Sequence, residues 1–307
     1  MTAKTVIVTM YFNIKNLPDA TDAVRPQSFY MEKGRATLEL DFPMVVFCDY
    51  DCYDDIKALR GDRPTQYMIK PLLEYDFYKD HYPIVKKNRE GDVKYIGSRN
   101  TTSYCILTVF KLYAMYLAKA ACVYDATHFA WIDFGGSHIL RDFSVNAPKM
   151  LEKPHPKISF CYIHFRGASE MTMISDFAKG GYCGVGATAF TIESDYVERF
   201  YNGCMSIFHE MLLHGLCHHE EQVMAYFYYR HSNLCNIYYG DYYSILSNYH
   251  DVKDNYQSIK QYFINEALVK GRRDLAKNAA IAVLDSADRS LINLPAHEIS
   301  WLHNMLN

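Results

Sequence analysis

Two acidic stretches are of a kind that does chemistry. Asp49-Tyr50-Asp51, followed by Asp54 and Asp55, is a literal Asp-x-Asp. Paired carboxylates on a turn can hold Mg2+ or Mn2+ beside a diphosphate. They can equally cap the following helix, whose N-terminus favours anions. The second stretch is Trp131-Ile132-Asp133-Phe134-Gly135-Gly136-Ser137-His138. Here one carboxylate leaves an apolar run, two glycines allow a ligand close to the backbone, and His138 is available as a second ligand. Lys111 interrupts an otherwise apolar stretch. An ammonium there either snorkels to water or points at an anion.

Further on, His209-Glu210-Met211-Leu212-Leu213-His214 precedes Cys217, His218 and His219. A zinc-dependent hydrolase would need two histidines four apart on one helix face. These are five apart, about 140° off a common face. His218-His219-Glu220-Glu221-Gln222 then opens an apolar helix. Its acids suit a helix start, or they aim a carboxylate and a carboxamide into a cleft. Tyrosines crowd positions 226 to 249. Their faces suit sugar rings, and they serve equally well in cores.

The elements that must position these groups alternate. Strands are expected over Thr5 to Asn13, Met44 to Cys48, Tyr67 to Ile69, Phe129 to Ile132 and Ile158 to Phe165. These short apolar or β-branched runs are bounded by polar turns. Helices are expected over 51–60, 102–123, 193–214 and 219–231, and from 254 to the end, broken near Gly271 and Pro295. Gly180 to Gly186 reads as a glycine loop. Strands buried on both faces and alternating with helices predict an α/β fold with a mixed, mostly parallel sheet. The expected division is a domain over 1–253 and a helical hairpin appendage over 254–307, which packs on it, mediates self-association or docking, or closes over a ligand as a lid. In such sheets ligands sit at the carboxyl ends of strands, where Asp49 and Asp133 fall.

The chain has 307 residues, half of them hydrophobic, with a net charge of −3. It carries no basic stripe, which argues against a nucleic-acid binder that works by neutralising phosphates. Its cysteines, nine in number, show no framework and read as reduced thiols. With no recognisable leader, a cytoplasmic protein is expected. The most apolar long segment, Cys105 to Tyr124, holds Lys111 and Lys119 and is a poor membrane span.

Several stretches together resemble the HtrL/YibB family. They are Thr5-Val6-Ile7-Val8-Thr9-Met10-Tyr11-Phe12, Met44-Val45-Val46-Phe47, Arg60-Gly61-Asp62-Arg63-Pro64-Thr65, Trp131-Ile132-Asp133-Phe134-Gly135, the glycine loop, Glu221-Gln222, and Tyr239-Gly240-Asp241-Tyr242-Tyr243-Ser244-Ile245-Leu246-Ser247-Asn248-Tyr249. They run in the family's order over about four-fifths of the chain. The family is linked to surface-polysaccharide loci. Its pattern is similar to a glycosyltransferase of the GT-A (Rossmann-like) fold.

The resemblance implies a nucleotide-sugar donor, a glycan or glycoprotein acceptor, and a divalent metal, manganese or magnesium. It places Thr9 and Tyr11 near the nucleoside, and Arg63 and Lys111 at the donor or its diphosphate. It sets Asp133 at the metal acid, Gly184 along the donor sugar, and Glu220, Glu221 and Gln222 at the reacting carbon. Asp133-Phe134-Gly135 departs from the pattern by lacking the second acid. The departure puts metal dependence in question or moves a ligand to His138 or His250. A non-catalytic carbohydrate-binding or scaffold protein on the same fold is the alternative that this departure leaves open.

Overall fold

The computed structural model describes residues 4–21, 25–90, 101–179, 184–217 and 219–307. Positions 180–183 of the glycine loop, and His218, lie outside the described residues. The chain runs β1 (Thr5–Tyr11), α1 (Gln27–Leu38), β2 (Met44–Cys48), α2 (Tyr50–Arg60), β3 (Thr65–Ile69), α3 (Asp76–Glu90), α4 (Thr102–Ala121) and β4 (His128–Ile132). It continues through α5 (Phe143–Glu152), β5 (Ile158–Tyr162), two short helices, α6 (Ala168–Met171) and α7 (Ile174–Lys179), then β6 (Val185–Glu193), α8 (Val197–Leu213), α9 (Glu220–His231) and β7 (Cys235–Tyr239). The C-terminal segment holds α10 (Tyr256–Ile259), α11 (Glu266–Val269), α12 (Arg273–Asp288) and α13 (Ala296–Leu306).

The strands form one sheet in the order β3-β2-β1-β4-β6-β5-β7. All neighbours pair in parallel except at β6, which runs antiparallel to β4 and β5. The expected mixed, mostly parallel sheet flanked by helices is therefore observed. Alternate residues along each strand feed two cores. Val6, Val8, Phe47, Phe129, Trp131 and Phe160 face α3, α4, α8, α9 and the C-terminal helices. Ile7, Val46, Ala130, Ile132 and Cys161 face α1, α2 and α5. Burial on both sides is why these strands read as unbroken apolar runs.

Helix α4 is long and apolar enough, by length and composition, to cross a membrane. Here it is the central helix of the first core, with Cys105, Ile106, Val109, Phe110, Leu112 and Met115 buried. Thr101 caps it, accepting from the Tyr104 backbone N–H at 3.1 Å. Helix α1 falls in a stretch whose few apolar residues gave no helical stripe. It lies close to the sheet because residue 34 is glycine. A Cβ there would meet the Phe134 ring 2.1 Å away.

The C-terminal segment is not a two-helix hairpin: α10 and α11 are joined through the helical stretch Lys260–Asn265, and α12 and α13 follow. Phe263, Ile264, Ala279, Val283 and Leu302 share the first core with β1 and α4. Tyr256 donates to Glu298 at 2.8 Å, and Lys260 pairs with the same carboxylate at 2.7 Å.

Candidate active site

The strand order reverses between β1 and β4. The chain lays β2 and β3 on one side of β1 and returns to place β4 on the other. Helices leaving the two strands diverge at such a point and open a crevice at their carboxyl ends. Two adjoining cavities occupy that crevice. The larger, of about 410 Å3, is lined by residues that include Arg25, Tyr30, Lys33, Tyr104, Asp133 and His138. The smaller, of about 220 Å3, reaches Tyr11, Lys111, Trp131, Asp133 and Glu220. Tyr30, Tyr104, Asp133 and Gly135 belong to both, so the cavities are two lobes of one cleft.

The floor is an ionic cluster. Asp133 follows β4, two residues beyond Trp131 and so on the same sheet face. Its Oδ1 accepts from Trp131 Nε1 at 2.6 Å and lies 2.9 Å from Lys111 Nζ. The ammonium also donates to Glu220 Oε1 at 2.7 Å and to the Ala187 carbonyl at 2.9 Å, and it sits 5.2 Å above the Trp131 ring. Three acceptors satisfy its three N–H groups. Lys111 is buried, yet it does not snorkel. Burial pulls its pKa down, but Asp133 and Glu220 outweigh that and hold it above the usual lysine range. Burial raises Asp133 and Lys111 pulls the other way, with repulsion from Glu220 adding to the rise. The net direction is upward.

Glu221 stands beside this cluster. Its Oε1 accepts from the Ala187 N–H at 3.3 Å and its Oε2 from the Tyr242 hydroxyl at 2.7 Å. Gln222, 100° further round α9, is buried, and its Oε1 has no hydrogen-bond partner. Thus Glu220 anchors the floor, Glu221 lies next to the cluster through Ala187 and Tyr242 but outside the lining of either lobe, and Gln222 turns inward.

The other expected residues divide. Tyr11 lines the smaller lobe and stacks on Phe134 at 5.0 Å. Burial pushes its hydroxyl pKa well up. Thr9 shares the Tyr11 face of β1 but is fully buried beneath the cleft, its hydroxyl unpartnered. Gly184 precedes β6 at the cleft's edge of the sheet and packs on α9. A Cβ there would stand 3.0 Å from that of Ala225.

Arg63 is not brought to the cleft. It precedes β3 at the amino edge of the parallel strands, where Arg60, not Arg63, is the buried residue. Arg60 donates to the carbonyls of Leu38, Leu40, Phe42 and Pro64 and to the Thr65 hydroxyl. The Arg-Gly-Asp-Arg-Pro-Thr stretch thereby ties α1 and α2 to the sheet. Asp49 likewise accepts from the Asn13 N–H at 2.6 Å and opens α2, in a separate small pocket with Asp51.

The expected metal set does not converge. His138 is on the cleft wall, its Nδ1 bonded to the Gly135 carbonyl. His250 bonds the Lys149 carbonyl at 3.2 Å and packs on His155, which precedes β5, at the opposite sheet edge. Among the described residues no three His, Cys, Asp or Glu side chains gather as a metal site. The histidine-rich stretch after 209 also disperses. His209 meets His81 at 3.0 Å, and Glu210 pairs with Arg230 at 2.7 Å.

Four residues of the cleft carried no strong sequence signal. Tyr104 lies seven residues before Lys111, on the same face of α4, and Trp131 lies two before Asp133; either spacing could have found them. Phe29 and Tyr30 lie on α1, whose apolar pattern is too sparse.

No protein-family model matches the chain, and no curated protein matches it by sequence. Solved structures with similarity to it include mouse xyloside xylosyltransferase 1 in its apo form. That likeness covers 76% of this chain and 85% of the other, at 8% identity and a TM-score of 0.43. Core-mannan synthase A from Aspergillus fumigatus, in a Mn/GDP form, is similar over 76% of this chain and 72% of its own, at 10% identity and a TM-score of 0.44. Both neighbours are glycosyltransferases.

Proposed function

We propose that this protein is a glycosyltransferase that moves a sugar from a nucleotide-sugar donor to a hydroxyl acceptor. The observation that carries the reading is the cleft at the β1/β4 reversal, with Asp133 held on its floor by Lys111 and Trp131 and the Glu221 carboxylate next to that cluster, on Ala187. The resemblance to the HtrL/YibB family supports it, and a polysaccharide or other glycan is the acceptor that family suggests. Tyr11, Tyr30 and Tyr104 offer apolar faces with polar rims to a base or sugar ring.

In the reaction an acceptor hydroxyl attacks the anomeric carbon. The bond from that carbon to the diphosphate oxygen breaks, and the nucleoside diphosphate leaves with the electron pair. Glu221 is the better base for the acceptor proton. Glu220 is committed to Lys111 and buried, so taking a proton there would break the floor. In a retaining reaction Glu221 would instead stabilise the charge that develops on the sugar.

The test is release of nucleoside diphosphate from a panel of nucleotide sugars, with and without Mn2+. We expect at least one donor to be hydrolysed or transferred, and that activity to be lost in Glu221→Gln while the melting temperature holds. Melting temperatures unmoved by every nucleotide sugar, together with no release, would refute the reading. Binding without turnover would favour the carbohydrate-binding alternative.

A further inference from the structure

We infer that the charge of the donor's diphosphate is met by Arg25 and Lys33, on the cleft wall, rather than by a divalent ion chelated on Asp133. This rests on the nucleotide-sugar reading above. It starts from what already occupies the acids. Lys111 Nζ lies 2.9 Å from Asp133 and 2.7 Å from Glu220, where an ion bridging the two carboxylates would sit. Lys111 is 3% exposed, and its ammonium is saturated by its third bond, to Ala187. A metal ion entering there would have to expel a buried, fully bonded cation. Outside that bridge Asp133 offers one oxygen, since Trp131 and Lys111 share the other. Phe134 and Gly135 stand where a second acid would reinforce it. A hard divalent ion beside a diphosphate is held by one or two carboxylates together with phosphate oxygens and water, and here a single uncommitted Asp133 oxygen is all the floor offers as anchor.

The wall of the larger lobe has the opposite character. Its basic lining is Arg25 and Lys33, against the one carboxylate Asp133, whose charge Lys111, shared with Glu220, offsets in part. Arg25 packs its guanidinium over the Phe29 ring at 4.3 Å, and among the described residues it has no carboxylate partner. The contact anchors the guanidinium at the cleft wall, and a guanidinium can take phosphate oxygens two at a time. Lys33 Nζ lies 5.6 Å from the same ring. Among the described residues it is paired only with its exposed neighbour Glu32, a contact of small worth in water. The lobe holds about 410 Å3, within the range of small-molecule sites. A diphosphate placed between α1 and the Asp133 floor meets the two positive charges of Arg25 and Lys33, and Lys111 offsets part of the repulsion from Asp133.

Titration calorimetry of the full chain tests this with UDP, GDP and inorganic pyrophosphate, each in EDTA and in Mn2+. We expect binding in EDTA, changed less than about threefold by Mn2+. We expect Arg25→Gln and Lys33→Gln each to weaken it about tenfold, the size of one charge-assisted contact, with melting temperatures unchanged. Binding that requires Mn2+ and ignores both substitutions overturns the clamp and leaves the nucleotide-sugar reading standing. Pyrophosphate binding in EDTA without any nucleotide binding upholds the clamp and overturns that reading. No binding of any probe overturns both.

Discussion

Replacing Lys111 with methionine keeps the side chain's length and removes its charge. Asp133 Oδ1 and Glu220 Oε1 lie 2.9 Å and 2.7 Å from the same nitrogen, so they are at most about 5.6 Å apart. Two unit charges at that separation repel by about 3 kcal/mol at an effective dielectric of 20. Breaking a buried pair by removing one partner costs about 3–5 kcal/mol in general. The Asp133 side chain keeps 37% of its surface exposed, so water relieves part of the repulsion and the lower end, about 3 kcal/mol, is expected. For a chain of this size that is about 5 °C in Tm. The assay is thermal and denaturant unfolding of Lys111→Met, Glu220→Gln and the double variant at pH 7. In the Glu220→Gln background Lys111→Met should cost less by about 1–2 kcal/mol, because one of the two charges is already gone. Lowering the pH should also shrink the loss, since protonation of Asp133, whose pKa is already raised, discharges the cluster in the folded state. A cost under about 1 kcal/mol, or the same cost in both backgrounds, would refute the ionic floor as the device that holds β4 to α4 and α9.

Three further outcomes follow from the same structure. Burial lifts the Asp49 carboxyl from its ordinary 3.8 to about 6. The folded chain therefore holds a proton that the unfolded chain has released, and stability falls as pH rises across that window; Asp49→Asn should flatten the fall in Tm between pH 4 and 6. Arg60→Lys should destabilise by about 2–4 kcal/mol, because an ammonium cannot replace a fork that reaches four carbonyls, whereas Arg63→Ala should leave nucleoside diphosphate affinity unchanged in calorimetry. Deleting 254–307 should yield aggregated or unfolded protein on a sizing column, since Phe263, Ile264 and Val283 belong to the same core as Val8 and Phe110; a soluble, monodisperse truncation that has lost only turnover would make the segment a lid.

Local pattern was sufficient where each residue answers to its immediate neighbours. The unbroken apolar runs at 44–48 and 129–132 announced strands buried on both faces, and both are. The long apolar stretch after Thr101 announced a helix. Asp133, at a strand end before two glycines, was expected as a metal acid; it lies in the cleft, bonded to Trp131 and Lys111. What the sequence left open was decided by contacts between distant segments. Lys111 was ambiguous because nothing near it in the chain is acidic. Glu220, more than a hundred residues on, reaches it only once α9 packs against α4. The Arg60 stretch reads alike for a phosphate clamp and for a structural tie until the sheet's polarity puts it at the edge away from the cleft. Helix α1 escaped notice because its side chains show little apolar stripe; its place depends on Gly34 lying against Phe134, and with it came Arg25, Phe29 and Lys33. Secondary structure follows from periodicity within a dozen residues. A binding site assembles where strands far apart in sequence end side by side, and only the folded sheet specifies that meeting.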